Sequence, residues 1–189
     1  MKSMHLYIVL TRTSTVLSRM IGFVTNDEFT HAAISLDEDL TQMYSFGRKK
    51  VYNPFVGSFI KENIDEGIYG MCRDLHGVII ELDVSRQQYN KALELLDEFI
   101  MNSNIYKYNY MGLIDGLLNN EACYSDRFLC SEFVYYILNS SGVADLNIPR
   151  NLVRPQSLLD VDGRVIFRGN LRNMKQSNEL TPVYKYART

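Results

Sequence analysis

The stretch Phe128-Leu129-Cys130-Ser131-Glu132-Phe133-Val134-Tyr135-Tyr136-Ile137-Leu138 constrains this chain most. Phe133, Val134, Ile137 and Leu138 recur at helical spacing and form one apolar stripe, so the stretch predicts an amphipathic helix. A stripe of this kind has to be buried against another layer of structure. Cys130 precedes the first two stripe residues by three and four positions, and its sulfur points inward with them. Ser131 and Glu132 favour a helix start, and Asp126 is placed to satisfy free amide groups there. A thiol at a helix N-terminus meets the positive end of the dipole, which favours the nucleophilic thiolate. The alternative for such a cysteine is a small buried core residue.

The rest of the chain supplies the opposing layers. Leu6-Tyr7-Ile8-Val9-Leu10-Thr11 reads as a buried strand. A helix follows, with Ser14 as cap and Val16, Leu17, Met20, Ile21 and Val24 as its stripe, ending over Thr25-Asn26-Asp27-Glu28. Thr30-His31-Ala32-Ala33-Ile34-Ser35-Leu36 alternates as a strand does, with Ala32, Ile34 and Leu36 on one face and His31, Ala33 and Ser35 on the other. Two small residues beside His31 leave open space over its imidazole. Asp37-Glu38-Asp39 is a turn, and Gln42-Met43-Tyr44-Ser45-Phe46-Gly47 returns as a hairpin partner. From Arg48 to about Asn63 the sequence is loop-like, with a turn at Asn53-Pro54. Gly77–Val84 is another strand. A helix capped by Ser85 follows, carrying Tyr89, Leu93, Leu96, Phe99 and Ile100. The tyrosine-rich Tyr106–Tyr110 leads into Met111-Gly112-Leu113-Ile114. Asp162-Gly163 turns into a last strand, Arg164–Phe167. The pattern predicts an α+β fold in a single domain over 1–172, followed by a polar tail over 173–189. In that fold a small antiparallel sheet carries His31, and the Cys130 helix packs on one face with its N-terminus at the histidine.

Composition removes several function classes. A net charge of -2 over 189 residues provides no basic field for nucleic acid or an anionic membrane. Three cysteines, Cys72, Cys123 and Cys130, form no disulfide framework and no metal-knuckle pair. No metal or other cofactor is expected. No stretch approaches the ~20 apolar residues of a transmembrane segment, and the N-terminal residues lack a signal peptide's long apolar region. A cytoplasmic location is therefore expected. Among the histidines, His5 reads as surface and His76 as a turn residue. His31 lies within a strand, where a satisfied core histidine is the bland alternative.

Thr30-His31-Ala32-Ala33-Ile34, followed a hundred residues later by Phe128-Leu129-Cys130-Ser131-Glu132-Phe133-Val134, resembles the circularly permuted, NlpC-type papain-like cysteine hydrolases of the YaeF/YiiX kind. In that group a strand histidine precedes the helix-borne cysteine. Met43–Lys49 resembles the strand after the histidine in a subset of the family. Tyr108–Leu113 and Arg154-Pro155-Gln156-Ser157-Leu158 sit where family-like segments are expected. The resemblance implies a papain-like fold and acyl transfer through a thioester on Cys130. His31 would be the general base, and the Cys130 backbone amide an oxyanion donor.

A third group is expected to hold the imidazole. In the family it comes from the strand after the histidine. Here that strand offers Gln42, Tyr44 and Ser45 and no acid; hairpin register is not fixed by sequence, and Ser45 is preferred. The implied substrate is a small-molecule, peptide or lipid-linked acyl compound carrying an amide or ester. Cys72 and Cys123 are expected to be dispensable. The missing acid favours one alternative, a non-catalytic binding module that keeps a papain-like cleft. A second alternative is a structural protein with a buried Cys130.

Overall fold

The computed structural model describes residues 4–12, 27–48, 57–118 and 120–174. Its centre is one curled sheet of eight strands: β1 Met4–Thr11, β2 His31–Ser35, β3 Met43–Arg48, β4 Gly57–Glu62, β5 His76–Val84, β6 Lys107–Tyr108, β7 Arg127–Phe128 and β8 Arg164–Asn170. The spatial order is β7-β6-β4-β3-β2-β1-β5-β8. Every pairing is antiparallel except the short parallel contact of β6 with β7. Four α-helices are described: α1 Gly67–Met71, α2 Arg86–Met101, α3 Tyr110–Leu117 and α4 Cys130–Ser140.

The architecture is α+β, as the sequence predicts, but the sheet is not small. Two corrections account for this. The segment expected to be loop up to Asn63 contains β4, which pairs with β3 from Met43↔Glu62 to Arg48↔Gly57. Its alternation is masked because Phe59 and Ile60 are both apolar. Phe59 joins the main core, while Ile60 leans over Gly47. The tyrosine-rich segment also contributes a strand, β6, which links β4 to β7. The expected helix over Ser14–Val24, the Asn53-Pro54 turn, and the polar tail beyond Met174 lie outside the described residues.

Each face of the sheet carries its own apolar layer. Leu6, Ile8, Leu10, Ala32, Ile34, Phe46 and Phe59 form the larger core with residues of α2 and α4. On α4 the buried residues include the predicted stripe of Phe133, Val134, Ile137 and Leu138. On α2 the buried face is Ala92, Leu95, Leu96 and Phe99, displaced from the predicted stripe: Leu93 is half-buried and Ile100 is exposed. Ser85 caps α2 as expected. Its hydroxyl accepts from the Gln88 amide at 3.2 Å, while the Gln88 side chain accepts from the Ser85 amide at 2.9 Å. The opposite face carries a smaller layer of Tyr7, Val9, Ala33, Met43, Tyr69, Leu75, Ile79 and Leu171. The strand alternation that separates Ala32 and Ile34 from Ala33 is the one read from sequence.

Candidate active site

The start of α4 is fixed by three tethers. First, β7 pairs with β6, and one residue, Leu129, separates it from Cys130. Second, the Glu132 carboxylate reaches back to accept from the Leu129 amide at 2.5 Å. That bond satisfies a donor of the helix start, the role expected of Asp126, which instead lies 3.7 Å from Arg127. Third, the Ser131 hydroxyl donates to the Val153 carbonyl at 2.6 Å. Asn109 joins two helix starts. Its side-chain oxygen accepts from the Gly112 amide at 2.8 Å, capping α3, and its side-chain nitrogen donates to Glu132 at 3.3 Å. Burial raises the Glu132 carboxyl above the usual range, against the lowering effect of the Leu129 and Asn109 hydrogen bonds. Its second oxygen, Oε1, is buried without a hydrogen-bond partner.

The lead-in to β2 is held from the other side. The Gln156 side-chain oxygen accepts from the amides of Glu28 and Phe29 at 3.1 and 3.3 Å. Arg154 donates to both oxygens of the buried Asp27 at 3.1 and 3.2 Å. Thus the Arg154–Leu158 segment clamps the strand that carries His31, while Val153, immediately before it, holds the cysteine helix.

His31 and Cys130 come together. Nε2 of His31 lies 3.0 and 3.1 Å from the two oxygens of Glu62. Cys130 is near enough for its charge to act on the ring. An ionised carboxylate can only accept, so Nε2 carries the hydrogen toward Glu62 and Nδ1 is the nitrogen left for the thiol. Burial acts to lower the pKa of His31, but the charges of Glu62 and Cys130 and their hydrogen bonds outweigh it, and the imidazole is raised well above its ordinary value. Cys130 is buried and a free thiol.

Ser45 does not hold the ring. It is fully buried on β3, and its hydroxyl donates to the Ala32 carbonyl at 2.6 Å. Of the other residues weighed for this role, Tyr44 stacks on Phe59 with 5.8 Å between ring centroids, and Gln42 is exposed on the turn. The partner of the imidazole comes one strand further out, from β4. Glu62 Oε1 lies 3.4 Å from where a Cβ on Gly47 would stand, so the missing side chain on β3 leaves room for it. Glu62 was not among the sequence candidates, because its segment read as loop.

Tyr69 on α1 completes the enclosure. Its ring meets His31 edge-on, with 5.9 Å between centroids, and its hydroxyl lies 3.2 Å from Thr11 Oγ1. Burial first, and the Glu62 charge second, raise its phenol well above the ordinary value, so Tyr69 is neutral and keeps its proton.

The other two thiols are free cysteines in different settings. Cys72 is buried with its sulfur 3.4 Å from the Ile68 carbonyl, and Cys123 is exposed. His5 faces Asp83 at 2.9 Å, and His76 faces Glu28 at 3.1 Å. Among the described residues, no helix is long and apolar enough to cross a membrane. No family model, curated protein or solved structure matches the chain.

Proposed function

We propose that this chain is a cysteine hydrolase or acyltransferase that cleaves amide or ester bonds through a thioester on Cys130, in a fold of the permuted papain-like kind. The observation that carries this reading is His31, held by Glu62 and near enough to Cys130 for the charge of that residue to act on the ring. A positioned base between a thiol and an orienting carboxylate is the arrangement that activates a nucleophile. The order of histidine strand before cysteine helix, and the packing of that helix on an antiparallel sheet, support the permuted papain-like assignment.

In the proposed cycle His31 takes the thiol proton and the thiolate attacks the substrate carbonyl. The carbon–oxygen double bond opens to an oxyanion near the Cys130 amide at the helix start. As the intermediate collapses, the carbon–nitrogen or carbon–oxygen bond breaks and His31 returns its proton to the departing amine or alcohol. Water, or an acceptor hydroxyl or amine, then gives a proton to His31 and attacks the thioester. This step releases the acid or transferred product and restores the thiol. Glu62 keeps the ring oriented and stabilises the imidazolium formed in each half-reaction. The binding-module alternative drew on a missing acid, and Glu62 removes that motive. A free thiol nucleophile suits a reducing compartment such as the cytoplasm. The substrate is a small-molecule, peptide or lipid-linked acyl compound.

The test uses p-nitrophenyl esters of graded acyl length. The reading expects a burst of p-nitrophenol and a mass increase of one acyl group located on Cys130. The adduct should be absent in Cys130→Ala and retained in Cys72→Ser and Cys123→Ser. Absence of an adduct with every ester, or acylation of Cys72 or Cys123 instead, overturns it.

A further inference from the structure

We propose that His5 on β1 and Glu81 and Asp83 on β5 form a zinc-binding site at the opposite end of β1 from His31. The two strands pair antiparallel, with His5 opposite Asp83 and Tyr7 opposite Glu81. Glu81 and Asp83 are two residues apart, so alternation puts them on one face of the sheet, and the pairing puts His5 on that face with them. Nδ1 of His5 lies 2.9 Å from Asp83 Oδ1 and 3.9 Å from Glu81 Oε1. One donor atom from each of the three lies within 4.8 Å of the other two. Among the described residues, no other three of the histidines, cysteines and acids converge in this way. A tetrahedral zinc with bonds of about 2.0–2.2 Å needs its donor atoms roughly 3.3–3.5 Å apart. The observed separations bracket that value, so small side-chain rotations close the site. Thr11, at the far end of β1, pairs with His31, and at ~3.3 Å per residue about 20 Å of strand separates the two places. The site is therefore independent of the chemistry of Cys130.

The donor set selects the ion. An imidazole nitrogen between two carboxylates suits zinc, whereas calcium and magnesium take oxygen donors and gain little from the ring. Zinc takes a bare Nδ1, and the ring then keeps its proton on Nε2. Burial is graded across the three side chains: Glu81 is 9% exposed, His5 25% and Asp83 88%. Solvent therefore reaches the site past Asp83, and the remaining coordination position is open to water. Arg164 sits opposite Glu81 on β8 and donates to its Oε1 from Nε at 3.1 Å and from a terminal nitrogen at 2.6 Å. Both bonds fall on one oxygen, so Oε2 can turn to the metal. The guanidinium charge beside it repels a cation and lowers the affinity. A zinc ion held here fastens the start of β1 to β5. Such a site exists only when the strands are paired, so the ion stabilises the folded chain.

The experiment adds zinc chloride to full-length protein labelled with nitrogen-15 at histidine and follows the ring nitrogens by NMR. All samples carry Cys72→Ser, Cys123→Ser and Cys130→Ser, because thiolates bind zinc themselves. Nδ1 of His5 is expected to shift to saturation at one zinc per chain, while the rings of His31 and His76 stay in place. Asp83→Asn is expected to weaken the binding by roughly tenfold or more, and His5→Ala to abolish it. Arg164→Gln is expected to tighten it, the opposite sign from the donor substitutions. Zinc should also raise the thermal midpoint of the parent and leave that of His5→Ala unchanged. A His5 ring that does not move at about 1 mM zinc overturns the proposal. So does an affinity indifferent to Asp83→Asn, which would mean an imidazole binding alone. Asp83 is exposed, so Asp83→Asn keeps the test decisive if His5→Ala does not fold. An equal response of His5 to magnesium overturns the assignment to zinc.

Discussion

His31 and Glu62 form a bidentate contact across an intervening strand: Nε2 lies 3.0 and 3.1 Å from the two carboxylate oxygens, one residue on β2 and the other on β4. The contact makes the imidazole a strong base. Burial opposes its protonation, yet the Glu62 and Cys130 charges raise its pKa well above the ordinary value. A proton that the ring takes from the thiol is therefore well held, as the proposed cycle requires. The sign of the linkage follows. The stabilisation from protonated His31 is fully present below the unfolded value near 6.5 and is lost as pH rises through the raised folded value.

The first prediction concerns thiol reactivity, measured by iodoacetamide alkylation in a Cys72→Ser, Cys123→Ser background. Cys130 is expected to react below about pH 7, and His31→Ala to weaken that low-pH reaction. Glu62→Gln should weaken it too, and should lower acyl transfer by about 10²–10⁴-fold. A profile that tracks an ordinary thiol near pH ~8.5 and ignores both substitutions would make Cys130 a core residue.

Ser45→Ala separates structure from chemistry. The hydroxyl is buried and donates to the Ala32 carbonyl at 2.6 Å. Its removal is expected to cost about 1 kcal/mol of stability in urea unfolding, with no change in the alkylation profile. A profile altered like that of Glu62→Gln would return Ser45 to the site.

Glu132 carries a pH dependence of its own. Burial raises its carboxyl above the ordinary value despite the bonds from Leu129 and Asn109. Its contribution is fully favourable below the unfolded value near 4.3 and is lost as pH rises through the folded one. Compared with Glu132→Gln, the wild type is therefore expected to lose relative stability as pH rises from about 4 toward neutrality. Urea midpoints across that range check it, and parallel curves for the two proteins would refute it.

Phe99→Ala tests the layer that supports α4. Phe99 is 2% exposed, and its ring lies within 6 Å of those of Phe46, Phe59, Phe128 and Phe133. Truncation is expected to cost about 3–5 kcal/mol. A loss below ~1 kcal/mol in equilibrium unfolding would show that the aromatic cluster collapses around the gap.

What was legible in the sequence was what repeats along it. The alternation around His31 and the stripe from Phe133 to Leu138 are local periodicities, and both elements form with the predicted faces buried. The third member of the site was hidden for a definite reason. Glu62 belongs to a strand in which Phe59 and Ile60 are both apolar, so no alternation marked it. Its reach to His31 depends on Gly47, a gap in another strand that no local window connects to it. Asn109 and Tyr69 were missed similarly. Their partners, Glu132 and Thr11, are 23 and 58 residues away. Ser45 is preferred from sequence because it matches the position of the third group in the family that the chain resembles, but its hydroxyl is taken by the Ala32 carbonyl.

The sheet order draws the groups of the candidate site from distant parts of the chain. His31 and Glu62 are 31 residues apart, and Cys130 lies far beyond both. No fragment short enough to form early in folding contains all three, and pairings of such separation are late and slow. The low-pH reactivity expected of Cys130 would thus be a chronometer of assembly. In a refolding chain pulsed with iodoacetamide at pH 6, the fast-reacting thiol should emerge with the last cooperative phase, after helical signal has returned.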